Sequence, residues 1–270
     1  MSSFGLLMRS NEVQQAILNH LRRGAHLTLF LDYDGTLVPI APTPQEAVPD
    51  EALLELLARV SLHRSIRTVI LSGRPLEELH SMLPVDGLIF AGLYGVEMQM
   101  GENTVLRQPP VEVERETLSR LRDGWVKLAG GLSGFLLEDK GQALALHARW
   151  AEPQQAAHVL AAARDLATDL IDLRSFRLLD GDRYIEVAPQ SADKGETVMW
   201  LLEQFPIESD LPVAFGDDNK DDAAFEAVHS RGGWAVGVGH RYPLPAVDAR
   251  LESPDEVRNW LRALLEPFQG

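Results

Sequence analysis

The feature that most limits how this chain can fold is a six-residue, mostly apolar run, residues 26–31 (HLTLFL), which stops abruptly at Asp32-Tyr33-Asp34-Gly35-Thr36. Such a run, bounded by turn residues, is the pattern of a strand buried on both faces. It needs helices above and below it, which is the layering of a parallel α/β sheet. Residues 66–71 and 88–91 read as two more buried strands, and residues 13–23, 51–60 and 75–82 as helices by their apolar period. The same rhythm returns from Lys194, with a helix to residue 205, a strand at 213–215, a helix at 221–229 and a Gly-rich strand at 234–238. Ser253-Pro254-Asp255-Glu256 sets an N-cap hydroxyl, a proline at the first helical position and an acid three residues on, and so opens a last helix.

Between these stretches the pattern differs. Residues 111–128 are helical, 135–138 and 143–149 pair as a hairpin across Lys140-Gly141, 153–171 form an Ala-rich helix, and 176–179 pair with 184–187 across Asp180-Gly181. Helix, hairpin, helix, hairpin is an α+β unit. The expected organisation is a discontinuous α/β core, residues 1–110 and 183–270, with an α+β domain inserted at 111–182, within what 270 residues can build.

Composition narrows the chemistry. Cysteine is absent, which excludes disulfides, thiol catalysis and cysteine-ligated metals. The balance of 25 basic against 40 acidic residues argues against nucleic acid as a partner. It also means that a phosphate ligand needs a metal or a local basic pocket to offset the field. No apolar run approaches the ~20 residues of a membrane helix, and residues 1–10 lack a signal-peptide layout, so a cytoplasmic protein without a membrane partner is expected. The phosphate-loop, dinucleotide, nucleophile-elbow and H-E-x-x-H templates are all missing.

Four short segments carry the candidate chemistry. Asp32-Tyr33-Asp34-Gly35-Thr36 follows a buried strand, where open α/β sheets place their ligands. Two carboxylates there can share a hard cation; Asp32 can attack phosphorus and Asp34 can protonate a leaving oxygen. A surface Asp-Gly turn is the plain alternative. A calcium loop is not, because its acidic twelfth position falls on Thr43. Leu71-Ser72-Gly73-Arg74-Pro75 also follows a buried strand. The Ser72 hydroxyl and Gly73 amide can donate to a phosphoryl oxygen, although taken alone an N-cap serine explains the segment better.

In Asp193-Lys194-Gly195 the aspartate is a good N-cap, but a cation in the first helical turn is opposed by about 0.3–1 kcal/mol. Either its charge is wanted there, to pair a carboxylate and a phosphate, or it is a solvated surface lysine. The same triplet recurs at Asp139-Lys140-Gly141, with no helix after it. Finally, Gly216-Asp217-Asp218-Asn219-Lys220-Asp221-Asp222 packs four acids into six residues, whose pKa values rise unless they are solvated or metal-bound. Asp217, nearest the strand end, is the candidate metal ligand. Asp218 and Asp221 are expected to support it or to pair with the lysine.

In the order D-x-D-G-T, Ser, Lys, G-D-D-x-x-D, these segments resemble the haloacid dehalogenase superfamily of phosphotransferases. The resemblance implies a Rossmann-like parallel-sheet core with an inserted α+β cap. It implies Asp32 as nucleophile, Asp34 as acid/base and Ser72, Gly73 and Lys194 as phosphoryl binders. Mg²⁺ would be held by Asp32, Asp217 and the backbone carbonyl of Asp34. A narrower resemblance covers most of the chain: LDYDGTL, LSGRP, AGLYGVE, LLEDKGQALALHARW, RYIEVAPQSADKGE and GDDNKDDAAFEAV are similar, in order and wording, to trehalose-6-phosphate phosphatases.

That similarity implies hydrolysis of trehalose 6-phosphate, with Asp32, Tyr33, Asp34 and Arg74 contacting substrate and the cap reading the sugar through Glu138, Lys140 and Glu186. Without the resemblance, those cap residues read as surface charges of a turn and a strand. The chain departs from the family's wording at Tyr94, where the family has histidine, at Lys220 and Asp222, in place of threonine and glutamate, and at Asp182, in place of a basic residue. The departures leave sucrose phosphate, a glucosyl- or mannosyl-phosphoglycerate and glucosylglycerol phosphate as alternative substrates. A non-catalytic sugar-phosphate sensor is the alternative of another class.

Overall fold

A computed structural model describes residues 10–101, 103–106, 112–181, 183–240, 243 and 247–265; Asp182 lies outside the described residues. The chain divides into two compact units, Met1–Val105 with Asp193–Gly270, and Leu106–Ala192. The second unit keeps both strands of its last hairpin. It therefore runs to Ala192 rather than to the expected boundary at 182.

The first unit is built on β1 (His26–Leu31), whose side chains alternate between two cores. Leu27, Leu29 and Leu31 face one cluster, while Phe30 faces the other. The first cluster is covered by α1 (Ser10–Arg22), α2 (Glu51–Ser61), α3 (Leu76–Met82) and α8 (Pro254–Leu265). The second is covered by α6 (Lys194–Gln204) and α7 (Asp222–Ser230). This two-sided covering is what a continuous apolar strand requires.

On one side of β1 lie β2 (Ile66–Leu71) and β3 (Ile89–Gly92). On the other lie β10 (Asp210–Gly216), β11 (Trp234–Val238) and β12 (Ala249–Leu251). All six strands are parallel. The order therefore reverses direction between β1 and β10, and a crevice at the carboxyl ends of strands forms at such a switch point. Leu31 is level with Phe215 on one neighbour and with Ile70 on the other, so the three strand ends come out side by side.

The sheet is longer than the sequence reading implies. It has eight strands, because β4 (Glu97–Met100) and β5 (Asn103–Leu106) extend it beyond β3. β4 runs antiparallel to β3. β5 and the three-residue β12 are the two edge strands and β4 lies next to one edge; all three are short and carry too little alternation to stand out.

The second unit has a four-stranded antiparallel sheet in the order β6 (Leu136–Asp139), β7 (Leu144–His147), β9 (Tyr184–Pro189), β8 (Phe176–Gly181). One face packs on α4 (Glu112–Ala129) and α5 (Pro153–Leu170) through Leu121, Trp125, Val159 and Ala163 against Leu144, Leu146, Ile185 and Val187. The Trp125 indole donates to the Ala163 carbonyl at 3.0 Å, which gives a buried polar atom its partner. The Ala-rich face of α5 lets α4 approach closely. Leu29 is fully buried in the middle of β1. Leu29→Ala should lower the unfolding free energy by about 2–5 kcal/mol, read by urea denaturation.

Candidate active site

Lys194 is the first residue of α6 and follows its N-cap Asp193, which accepts from the Glu196 amide at 2.9 Å. Its buried ammonium donates to Asp32 at 2.6 Å and to Asp221 at 2.5 Å. The first turn of a helix opposes a cation, and these two carboxylates outweigh that field. Asp32 extends β1, and its amide donates to the Phe215 carbonyl at 3.1 Å, which ties the ends of β1 and β10 together. Asp221 does double duty. Its other oxygen accepts the amides of Asp217 and Asp218 at 2.9 and 3.1 Å, and so shapes the loop after β10.

Asp217 comes back onto the first loop at Gly35. That residue has φ +90°, and a Cβ there would collide with the Asp217 carboxylate. The glycine of D-x-D-G-T is thus required both for its backbone conformation and for the close approach of the acidic loop. Asp34 points elsewhere. Both its oxygens accept from Arg74, at 2.8 Å each. Arg74 in turn donates to the Pro44 carbonyl and to Glu78. Ser72 is buried at the end of β2, and its hydroxyl oxygen accepts the Arg74 amide at 3.2 Å.

Two expected substrate contacts are placed differently. Tyr33 is fully buried among the core side chains, and its hydroxyl donates to the Ala47 carbonyl at 2.9 Å. Alternation along the chain turns it away from the side of Asp32. Its burial, with the charge of Asp34, pushes the phenol well above its usual range. Arg74 is engaged by Asp34, Glu78 and Pro44, which makes it a holder of the loop. Sequence reasoning also missed Arg258 on α8, which donates to the Leu37 carbonyl at 3.0 Å and to Asp50 at 2.6 Å and buttresses the same loop from below. A lone arginine in an amphipathic helix carries no signal of that role.

The electrostatics follow from the crowding. Oxygens of Asp32, Asp217 and Asp221 lie within 4.8 Å of one another, the one such metal-ligating group among the described residues. Burial pushes the Asp32 carboxyl up to about 7 despite Lys194. Burial, then repulsion from Asp32, Asp218 and Asp221, pushes Asp217 to about 9. Burial also raises Asp221, whereas for Asp218 burial is outweighed by Lys220 and Lys194 and the group falls below its ordinary value. Burial opposes the charge of Lys194, yet Asp221 and Asp32 hold it firmly protonated.

The Lys220 ammonium reaches Asp218 at 2.5 Å. Four carboxylates at 32, 217, 218 and 221 therefore face two ammonium groups, an excess of negative charge equal to one divalent cation. A set of hard carboxylate oxygens fits such an ion.

In the second unit, Glu138, Lys140 and Glu186 do come together. Lys140 donates to Glu186 at 2.9 Å and lies 3.9 Å from Glu138. Strand register sets Glu138, Ala145 and Glu186 in one row. His147, not singled out from the sequence, joins them: its Nε2 is 2.8 Å from Glu138, and its ring stacks on Tyr184 at 5.7 Å. The available signal was its period-2 spacing from Ala145 on the same strand.

Residues 30–243 match the family described as trehalose-phosphatase. The chain belongs to the trehalose-phosphatase family. It is 29% identical over 244 residues, 87% of this chain and 86% of the relative, to a probable trehalose-phosphate phosphatase of Sinorhizobium fredii. Its fold is similar to the C-terminal domain of trehalose-6-phosphate phosphatase from C. albicans, with a TM-score of 0.83 at 23% identity over 95% of this chain and 98% of that one. It is also similar to a haloacid dehalogenase-like hydrolase from Bacteroides thetaiotaomicron, with a TM-score of 0.61 at 17% identity over 90% of this chain and all of that one.

For this trehalose-phosphatase family member the charge excess has a measurable consequence. Asp32 and Asp217 are raised from 3.8, so in the folded state they hold protons more tightly than when unfolded. Their penalty is absent below about pH 4 and grows as pH rises through their folded values. In EDTA, the wild type should lose stability from pH 5 to pH 9. Asp217→Asn should remove much of that loss, and a hard divalent cation should restore the wild type alone. Urea denaturation at three pH values checks this, and a pH-independent difference between the two proteins speaks against it.

Proposed function

We propose that the protein is a Mg²⁺-dependent phosphatase that hydrolyses trehalose 6-phosphate to trehalose and phosphate. Family membership supports the reaction. The observation that carries the chemistry is the convergence of Asp32, Lys194 and Asp217 at the switch point of the sheet. Asp32 attacks phosphorus in line, the bond from phosphorus to the sugar oxygen breaks, and Asp34 gives that oxygen a proton. To do so Asp34 releases Arg74, since both its oxygens are bonded to the guanidinium. Water then opens the aspartyl-phosphate, with Asp34 taking its proton.

Lys194, the Ser72 hydroxyl and the Gly73 amide hold the phosphoryl oxygens through both steps. Asp32, Asp217 and the Asp34 backbone carbonyl would hold Mg²⁺, which when bound neutralises phosphoryl charge. Residues 1–105 and 193–270 serve as the catalytic core. The inserted unit serves as the specificity cap, with Glu138, Lys140 and Glu186 reading sugar hydroxyls. No helix of the described residues is long and apolar enough to cross a membrane.

Asp32→Asn should keep the fold and lose at least about 10³-fold in kcat, because removing a nucleophile forfeits a step that the remaining groups cannot supply. Full turnover by the purified variant would overturn the assignment. In a panel of trehalose 6-phosphate, sucrose 6-phosphate, glucosyl- and mannosyl-phosphoglycerate and glucosylglycerol phosphate with Mg²⁺, the first should lead by at least tenfold in kcat/KM. Another leader would move the substrate and leave the chemistry. Slow turnover with tight product binding would point to a sensor instead. Lys140→Met should raise KM for trehalose 6-phosphate by about tenfold and leave p-nitrophenyl phosphate turnover unchanged, since a lost charged hydrogen bond is worth about 1.5–3 kcal/mol.

A further inference from the structure

The turn between β3 and β4 is the most strained stretch of the described backbone. Leu93, Tyr94 and Gly95 are consecutive residues in the left-handed region, with φ of 48°, 59° and 96°. Two of them are not glycine, and Leu93 and Tyr94 are both buried. Such conformations persist only where the surroundings over-determine them, and they gather at functional sites.

What over-determines this turn is the loop after β2. The Tyr94 amide donates to the Ser72 carbonyl and the Leu93 amide to the Arg74 carbonyl, each at 2.8 Å, so the two bonds bracket Gly73. The Ser72 carbonyl and the Gly73 amide belong to one planar trans peptide and point in opposite directions. By gripping the carbonyl, Tyr94 aims the Gly73 N–H the other way. The Tyr94 ring completes the grip from the side: a Cβ on Gly73 would lie 2.6 Å from its Cζ and hydroxyl. The Tyr94 carbonyl is tied onward. The Thr197 hydroxyl lies 2.8 Å from it and 2.8 Å from the Asp193 carbonyl, at the start of the helix that carries Lys194.

We propose that Tyr94 is a positioning residue for phosphoryl binding: its strained backbone and its ring fix the direction of the Gly73 amide and its spacing from Lys194. Tyr94 is buried and acts through the two segments it joins. The proposal deepens the phosphatase reading, because it rests on the Ser72-Gly73 segment and Lys194 as phosphoryl binders.

The test is the Kd of inorganic phosphate for the Mg²⁺-loaded protein, by isothermal titration calorimetry well below each variant's Tm, on protein shown folded by circular dichroism. Tyr94→Leu keeps a bulky apolar side chain and a strained backbone but loses the ring. Its Kd should rise by about tenfold or more, since small misplacements of a binding group have effects of that size. Tyr94→Phe, which keeps the ring, should restore binding. A merely structural role would lower Tm and leave the Kd of the folded fraction unchanged.

A rise of less than threefold in folded Tyr94→Leu overturns the proposal, as does an equal loss in Tyr94→Phe. If Tyr94→Leu does not fold, Thr197→Val takes its place, with a rise of at least threefold expected and a smaller one overturning the proposal. Wild type that binds no phosphate overturns the phosphatase reading and this one together. Wild type that binds, with the variants unchanged, overturns this one alone.

Discussion

The strand ends of the first unit are arranged around one buried ammonium. Lys194 sits 2.6 Å from Asp32 and 2.5 Å from Asp221, out of water and at the end of a helix that electrostatically disfavours it. A buried ion pair is poor evidence of stability by itself, because desolvation cancels much of the attraction, whereas breaking one leaves an uncompensated charge at heavy cost. The lysine therefore commits the fold to keeping the ends of β1 and β10 adjacent to the start of α6. The sheet supplies that adjacency through parallel register, and Asp221 supplies the rest by clamping the acidic loop through two backbone amides.

The same lysine explains how a strongly acidic chain can host an anionic ligand. Its net charge of −15 repels phosphate at long range, but solvent and salt screen that field within about 10 Å. Inside the crevice the local count matters. The two ammonium groups leave the carboxylates in excess by the charge of a divalent ion, and burial keeps that excess from being screened. Asp32 and Asp217 respond by holding protons, which is what crowded carboxylates do until a cation arrives. The site is thus built for a metal first and a phosphoryl group second.

Much of this was legible in the amino-acid order, and the reason is physical. A strand buried on both faces must be apolar throughout, so 26–31, 66–71 and 213–215 announced themselves, and the polar residue that ends each run lies at the crevice by construction. Lys194 was legible because its position violates helix electrostatics. The edge strands β5 and β12 and the neighbouring β4 were not, because a short strand near a sheet margin needs little hydrophobic patterning.

Side-chain direction was the other blind spot. Adjacent residues Asp32 and Tyr33 looked alike as substrate contacts until alternation sent one to the crevice and the other to the core. Arg74 was expected at the substrate only through the resemblance, and its partners Asp34 and Glu78 are ones that only the folded loop brings within reach. His147 carries only its period-2 spacing from Ala145 as a local signature, since its partners Glu138 and Tyr184 come from other strands.

The two units differ in the charge they gather. In the first, cations and amides face a crevice whose carboxylates call for a metal, which suits a phosphoryl group. In the second, the one ammonium, Lys140, stands between two carboxylates, Glu186 and Glu138, and Glu138 also meets the His147 ring, so no cation is left over. A cluster of that kind offers hydrogen-bond acceptors and donors without a free charge to attract an anion. It suits neutral hydroxyls better than the extra carboxylate of a phosphoglycerate, because a second negative charge would have to displace Glu186 or Glu138 from Lys140. By charge alone the insert's cluster is matched better to neutral hydroxyl groups than to an anion, whereas Lys194 and its carboxylates form the charged centre of the first unit.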